Sequence, residues 1–350
     1  MAGDTYDVIV IGAGPTGENV ADRAVRCGLS AVIVESELVG GECSYWACMP
    51  SKALLRPAAV VAEAGRVRGV SGARIEPAGV LARRDSFTNE WKDDSQVDWL
   101  NGAKISLVRG HGRLTGERQV TVGDVTLTAR QAVVVATGTN ALVPPVLAAV
   151  GRTPNTGDIG LETVGLADGS WLGVDDTMRV TDVPGGWLYA CGDVNHLALL
   201  THMGKYQGRL CGDAIGARAA GREPTVRDVA SRTRVPQVIF AVPEVAAVGL
   251  TAEQAEDAGM RVRVVEFPIG DVAGASLFAD GYRGRAQMVV DIDRRVIVGL
   301  TLAGPGVGEM IHAATIAVVG EVPLDRLRHA VPAFPTMSEL WLRLLETYGL

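Results

Sequence analysis

Residues Tyr6–Gly17 read YDVIVIGAGPTG, an Ala/Val/Arg-rich stretch follows to Cys27, and LSAVIVE then ends at Glu35. A short β-branched run, a glycine turn, a helical stretch and a second apolar run predict strand, turn, helix and strand. In such a unit the glycines bring bare backbone N–H groups and a helix N-terminus against a pyrophosphate. The acid that closes the second strand, Glu35, stands at the spacing of about 20 residues at which a carboxylate reaches a ribose hydroxyl. Together these features outweigh an ordinary glycine turn and point to a dinucleotide site.

The rest of the chain sets the frame for that unit. Of its 350 residues 47% are apolar and 21% charged, which supports a buried core and excludes a disordered chain. The net charge of −7 comes with no basic run, so nucleic acid is not an expected partner. No apolar stretch is long enough to span a bilayer and the start lacks a secretory segment, so no membrane association and a cytoplasmic location are expected. In that compartment five cysteines do not make a disulfide framework.

Residues 51–100 look helical. The segment 108–125 alternates like a small antiparallel meander, and within it GHGRLTG (110–116) reads as turns. AVVVATG (132–138) and WLYACGD (187–193) read as buried strands closed by glycine turns, with a helix over 200–218. From residue 235 strands are expected at 238–240, 262–267, 286–291 and 296–303. Helices are expected near 251–258, 307–319 and 337–347, the first with a capping box at Thr251 and Gln254. The domain organisation read from this is an α/β dinucleotide-binding domain over 1–232 and an α+β domain over 233–350.

GGECSYWACMPSK (40–52) carries the chemistry. Cys43 and Cys48 are too far apart for a C-x-x-C turn and lack the second pair that a zinc site needs, so no metal is expected. A helix beginning near Cys43 would place both sulfurs in its first turns, where the helix dipole favours thiolate, with Lys52 one turn beyond Cys48. Two buried free cysteines are the plain alternative. The position just after a dinucleotide unit favours a redox pair.

On GAGPTG, Glu35, GGECSYWACMPSK, VVATG, AVGRTPN, CGD with LLTHMGKYQGR, VGLTAEQAEDAG and FPTMSE, the chain resembles the class I pyridine nucleotide-disulfide oxidoreductases, the family of glutathione reductase, dihydrolipoamide dehydrogenase and mercuric reductase. The resemblance implies a Rossmann-like FAD-binding domain, with a parallel sheet and a small antiparallel meander, followed by a dimerisation domain that builds a homodimer. It implies that Gly12, Gly14 and Gly17 hold the FAD pyrophosphate and Glu35 its ribose, with Gly112 near the adenine. It places Gly41, Glu42, Thr137, Gly138 and Arg152 along the cofactor, Gly192 and Asp193 at the ribityl chain, and Leu200 and Thr201 at the pyrimidine end. Cys48 would be the thiolate beside the flavin, Cys43 the thiol that exchanges with substrate, and Lys52 the cation at the flavin's reactive edge.

Two departures from the family pattern change the expected chemistry. Where dithiol-exchanging members carry a His-Pro followed by Glu, this chain has Phe334, so Glu339, which the resemblance makes a catalytic residue acting on the partner subunit's cysteines, would have no imidazole to orient. Mercuric reductases use a C-terminal cysteine pair, and this chain ends ETYGL. The NAD(P)H domain that the family inserts between VVATG and AVGRTPN is missing, with the two halves joined near 143–150. The expectation is an FAD-dependent dithiol/disulfide oxidoreductase of cell redox homeostasis with impaired or absent NAD(P)H use, exchanging electrons with a dithiol or disulfide, a quinone or oxygen. The alternatives are a non-catalytic FAD-binding dimer and a flavin oxidase with a dithiol donor.

Overall fold

The computed structural model of the chain describes residues 4–141 and 151–350, so the junction expected near 143–150 lies outside the described residues. Strand β1 (Thr5–Ile11) buries Val8, Ile9 and Val10 completely, as a strand covered on both faces must. Gly12 turns the chain at φ +105°, a value that L side chains rarely adopt, and a Cβ there would sit 2.5 Å from the Ala136 carbonyl oxygen. Helix α1 (Pro15–Arg26) then starts with a proline in its first turn and buries Val20, Ala21 and Ala24. Strand β2 (Ala31–Glu35) returns parallel to β1.

Helices α2 (Gly41–Tyr45), α3 (Cys48–Ala64), α4 (Pro77–Phe87) and α5 (Asp94–Gly102) follow, then strand β3 (Ser106–Arg109), which pairs parallel to β2. Strands β4 (Gly112–Gly116), β5 (Gln119–Val122) and β6 (Val125–Val135) form the expected antiparallel meander, but most of 110–116, expected as turns, is strand β4, because it pairs along β5. β6 does more than the sequence pattern implies. Its first half pairs antiparallel with β5 and its second half runs parallel to β1, so one continuous strand joins meander and parallel sheet. A two-stranded hairpin, β7 (Thr139–Ala141) and β8 (Arg152–Pro154), comes next. Strand β9 (Leu188–Ala190) pairs with β6, and helix α6 (Thr201–Ala219) closes this part of the chain. The sheet order is β3-β2-β1-β6-β5-β4, with β9 also on β6.

The second part holds an antiparallel sheet ordered β10 (Gln237–Ile239), β11 (Glu244–Gly249), β14 (Val296–Gly304), β13 (Arg285–Asp291) and β12 (Val262–Pro268). Its helices are α7 (Ala252–Asp257), α8 (Ala273–Phe278), α9 (Ile311–Val319), α10 (Leu324–Leu327) and α11 (Leu340–Tyr348). The capping box at Thr251 and Gln254 forms as expected. The fold class is therefore an α/β unit with a parallel sheet and meander, followed by an α+β unit. By contacts the two compact units are 1–53 with 81–231, and 54–80 with 232–350. Residues 54–80, expected in the first domain, pair with the second unit: Asp280 donates its backbone N–H to the Arg66 carbonyl and accepts from the Arg68 N–H on its carboxylate. No helix of the described residues is long and apolar enough to cross a membrane.

What aligns the first unit is the approach of α6 to α1. Gly204, Gly208, Gly212 and Gly216 repeat every four residues along one face of α6. A Cβ at Gly208 would lie 2.6 Å from the Thr16 carbonyl oxygen, one at Gly212 2.5 Å from the Arg23 Cβ, and one at Gly216 2.5 Å from the Cys27 Cβ. The two backbones can touch only because these side chains are missing. Gly212→Val should lower unfolding stability by on the order of 1–3 kcal/mol through overpacking. Urea midpoints measured beside an exposed control of ordinary φ, Gly102→Ala, check this; equal midpoints would refute the tight approach.

Candidate active site

The carboxyl ends of β1, β2 and β6 and the turn after β9 surround a cleft of about 750 Å³. Ligands of open α/β sheets bind at such an edge. Gly14, the N-cap of α1, carries no side-chain cap, and nothing lies within 4 Å of where its Cβ would be, so the first-turn N–H groups of α1 are open to an anion. Gly12, Gly14, Glu35, Gly41, Gly112, Thr137 and Gly138 all line the cleft. Gly17 does not; it is the position at which β1 and α1 pack together, where a Cβ would strike the Gly12 carbonyl oxygen. The Glu35 carboxylate accepts from the Ala13 N–H at 2.6 Å and the Glu37 N–H at 2.8 Å. Those bonds fix its orientation and leave lone pairs for a ribose hydroxyl. The Thr137 hydroxyl is buried with no protein partner, an orphaned polar atom in the cleft wall. An open helix terminus, a carboxylate at the end of β2 and an unpaired hydroxyl form the donor and acceptor set that a dinucleotide such as FAD needs.

At the other end of the cleft the Thr139 hydroxyl donates to Asp193 at 2.7 Å and accepts from Arg152 Nε at 2.5 Å. Arg152 Nη2 bonds Glu42 at 2.6 Å, so Asp193, Thr139, Arg152 and Glu42 form one chain. Gly192 packs against Thr16, and its N–H donates to Gln207 Oε1 at 2.8 Å. Leu200 is the N-cap of α6 and Thr201 its first residue.

Thr201 leads to the cysteines. Its Oγ1 lies 3.2 Å from Cys48 Sγ. The single helix expected over both cysteines is two: Cys43 sits in α2 and Cys48 is the first residue of α3. The break arises because Trp46 and Ala47 both donate their N–H groups to the Glu42 carbonyl, closing α2, and Ala47 then accepts the first bond of α3 from Ser51. The two sulfurs titrate as a pair, so the protonation of one depends on the other. The bond from Cys43, then that from Thr201 and the charge of Lys52, hold Cys48 down to about 5 against burial and the Glu42 carboxylate. The bond to Cys48 and burial push the Cys43 thiol well up. The direction is thus opposite at the two sulfurs, with Cys48 inclined to the thiolate and Cys43 to keep its proton. Cys43 lines the cleft; Lys52 is exposed, one turn beyond Cys48.

Residues 6–147 match the pyridine nucleotide-disulphide oxidoreductase profile, and residues 235–344 match the pyridine nucleotide-disulphide oxidoreductase dimerisation domain. The chain belongs to the pyridine nucleotide-disulphide oxidoreductases. It is thus an oxidoreductase. A dihydrolipoyl dehydrogenase of Thermus scotoductus is 26% identical over 458 aligned positions, covering 96% of this chain and 95% of that protein. Dihydrolipoyl dehydrogenase 3 of Pseudomonas aeruginosa is 26% identical over 465 positions, covering 96% of each. Both alignments are longer than the chain's 350 residues, so each relative carries sequence that this oxidoreductase does without. The flavoprotein disulfide reductase RclA of Escherichia coli shares the fold, with a TM-score of 0.79 at 17% identity over 98% of this chain and 99% of its own.

Glu339 belongs to the second unit of this oxidoreductase. It is buried, bonds Arg343 at 2.7 Å and accepts the Ala273 N–H at 3.3 Å. Phe334, which the resemblance places at the His position of dithiol-exchanging members, is 76% exposed. Among the described residues no group of three or more His, Cys, Asp or Glu is placed to hold a metal.

Sequence reading passed over Thr139, whose bonds tie Asp193 to Arg152, and Glu18. Thr139 has no local signal beyond following the Gly138 turn. Glu18 has none either, since it stands in the first turn of α1 beside the face that buries Gly17, Val20, Ala21 and Ala24. Burial pushes its carboxyl up to about 7, opposed by Lys205, and one of its oxygens has no partner. A carboxyl whose pKa rises from 4.5 to about 7 on folding holds its proton more tightly in the folded state, so its contribution is present below the unfolded value and lost as pH rises through 7. Glu18→Gln should therefore be near neutral for stability at pH 4 and stabilising by on the order of 1–3 kcal/mol at pH 8. Urea unfolding at the two pH values checks this, and an equal effect at both would contradict it.

Proposed function

We propose that this protein is an FAD-dependent dithiol/disulfide oxidoreductase in which Cys43 and Cys48 are the redox pair. The single observation that carries the reading is geometric: Cys43 lines a dinucleotide-shaped cleft, and Cys48, the first residue of α3, has its sulfur 3.2 Å from Thr201 Oγ1 at the start of α6. FAD, when bound, supplies a two-electron donor and acceptor. Gly12 and Gly14 with the N-terminus of α1 would hold its pyrophosphate, Glu35 its ribose, and Asp193 its ribityl chain.

The cysteines do the exchange. The Cys43 sulfur, once deprotonated, attacks one sulfur of a substrate disulfide, and the other leaves as a thiolate that takes up a proton. The Cys48 thiolate then attacks the Cys43 sulfur of the mixed disulfide, expels the second thiolate and closes the Cys43–Cys48 disulfide. Two electrons pass to the substrate; of the two protons gained by the products, one comes from Cys43 and one from solvent. The Thr201 hydroxyl donates to Cys48 and keeps it ionised while it waits.

Phe334 and the Arg343 clamp on Glu339 support slow exchange, because a positioned acid/base is typically worth about 10²-fold to 10⁴-fold. The relatives' greater length supports loss of the nicotinamide-binding segment, so NADH and NADPH would reduce the protein poorly and electrons would enter or leave through dithiols, quinones or oxygen. The match to the dimerisation domain supports a homodimer through the second unit. A cytoplasmic location suits a pair that must cycle through its reduced form.

An anaerobic titration of the flavin-loaded protein tests the reading. One equivalent of dithiothreitol should bring up a long-wavelength absorption band that fades below about pH 5 as the Cys48 thiolate is protonated, while NADH or NADPH bleaches the flavin slowly. Rapid stoichiometric bleaching by either nucleotide would overturn the donor assignment. No band at any pH would favour a non-catalytic flavin-binding dimer. Cys43→Ser should show the band without reductant and Cys48→Ser should never show it.

A further inference from the structure

The Arg152 guanidinium is the meeting point of groups that the exchange chemistry does not use. It reaches from β8 to α2, bonding Glu42 Oε2 through Nη2 at 2.6 Å, Thr139 Oγ1 through Nε at 2.5 Å and the Thr139 carbonyl through Nη2 at 3.2 Å. Its Nε lies 3.6 Å from Asp193. Glu42 is no ordinary surface partner. It immediately precedes Cys43, and its carbonyl accepts from both Trp46 at 2.9 Å and Ala47 at 2.8 Å, the two bonds that form the turn between the cysteines. One residue therefore shapes the turn with its backbone and presents its side chain to Arg152. α2 is only five residues long and has no side-chain cap, so it has little intrinsic stability to hold its own orientation.

We propose that Arg152 is a positioning residue for the redox pair: through Glu42 it fixes the short helix and turn that keep Cys43 beside Cys48, and it draws the Glu42 charge away from the Cys48 sulfur. The proposal rests on the reading of Cys43 and Cys48 as the redox pair. An ordinary half-exposed ion pair would contribute little. The difference here is that a planar fork carried on β8 engages two further elements, β7 and α2, at once, and a lysine cannot reproduce it. The charged and polar groups around the Cys48 sulfur are Cys43 and Glu42 from α2, Lys52 from α3 itself and Thr201 from α6, with Lys205 of α6 acting on Cys43. Of these only Glu42 carries a charge that disfavours the thiolate. Losing Arg152 should strengthen that opposition and loosen the turn together.

The experiment tracks the pH midpoint of the Cys48 thiolate in the dithiol-reduced, flavin-loaded protein, by the long-wavelength band and by the pH dependence of alkylation. Arg152→Gln should raise the midpoint by about 0.5–1 unit, Arg152→Lys by less, and Glu42→Gln should lower it or leave it unchanged. In the Glu42→Gln background Arg152→Gln should shift the midpoint by less than about a third as much, because the charge it opposes is gone. An unmoved midpoint in Arg152→Gln, or an equal shift in both backgrounds, would overturn the proposal. If Arg152→Gln does not fold, Glu42→Gln and Arg152→Lys still decide it: a raised midpoint in the first, or none in the second, counts against. If the parent protein itself has no thiolate of low pKa, the redox-pair reading has failed instead.

Discussion

Two helices that begin at the same cleft, α1 and α6, lie with their backbones in contact because α6 presents a glycine at every fourth residue to α1. Everything at the site depends on that contact. It sets the N-terminus of α6, and with it Thr201, beside Cys48, while the N-terminus of α1 opens onto the same cleft. Any side chain larger than hydrogen in the stripe would force α6 outward and separate the hydroxyl from the sulfur. The dinucleotide-shaped edge of the sheet and the cysteine pair are thereby parts of one rigid arrangement.

The electrostatics derive from that arrangement. A thiol in a half-buried setting would ordinarily be pushed up by desolvation. At Cys48 the desolvation is outweighed by two donors and a nearby ammonium, and the proton stays with Cys43. The asymmetry matches a division of labour in which one sulfur is ready as a thiolate and the other must first lose a proton. The acids nearby are held in turn: Asp193 by Thr139, Glu42 by Arg152, and Glu35 by two backbone amides. Carboxylates so restrained keep a fixed geometry along the cleft.

Much of the fold is legible in the sequence. The β1-α1-β2 unit announces itself because buried parallel strands are continuous β-branched runs and a glycine turn has a fixed spacing. The strands at 262–268, 285–291 and 296–304 appear close to where they are expected for the same reason. Strand β11 is missed because EVAAVG is short and rich in small residues, and it becomes a strand only by pairing with β10 and β14 on its two sides. The division of β6 between two pairings is invisible locally, since both halves read as apolar strand. The grouping of residues 54–80 with the second unit is likewise a matter of long-range backbone bonds to Asp280.

The sequence by itself determined which residue types could do chemistry here: two cysteines behind a dinucleotide turn, a lysine one turn further on, and acids at strand ends. Those are local patterns, and local spacing carries them. Tertiary structure alone decided that Cys43 and Cys48 stand on two helices instead of one, that Cys48 is the sulfur given a hydroxyl partner, and that Arg152 reaches Glu42 from more than a hundred residues away. These depend on distances between segments remote in the chain, and a pKa depends on those distances more steeply than on the order of residues.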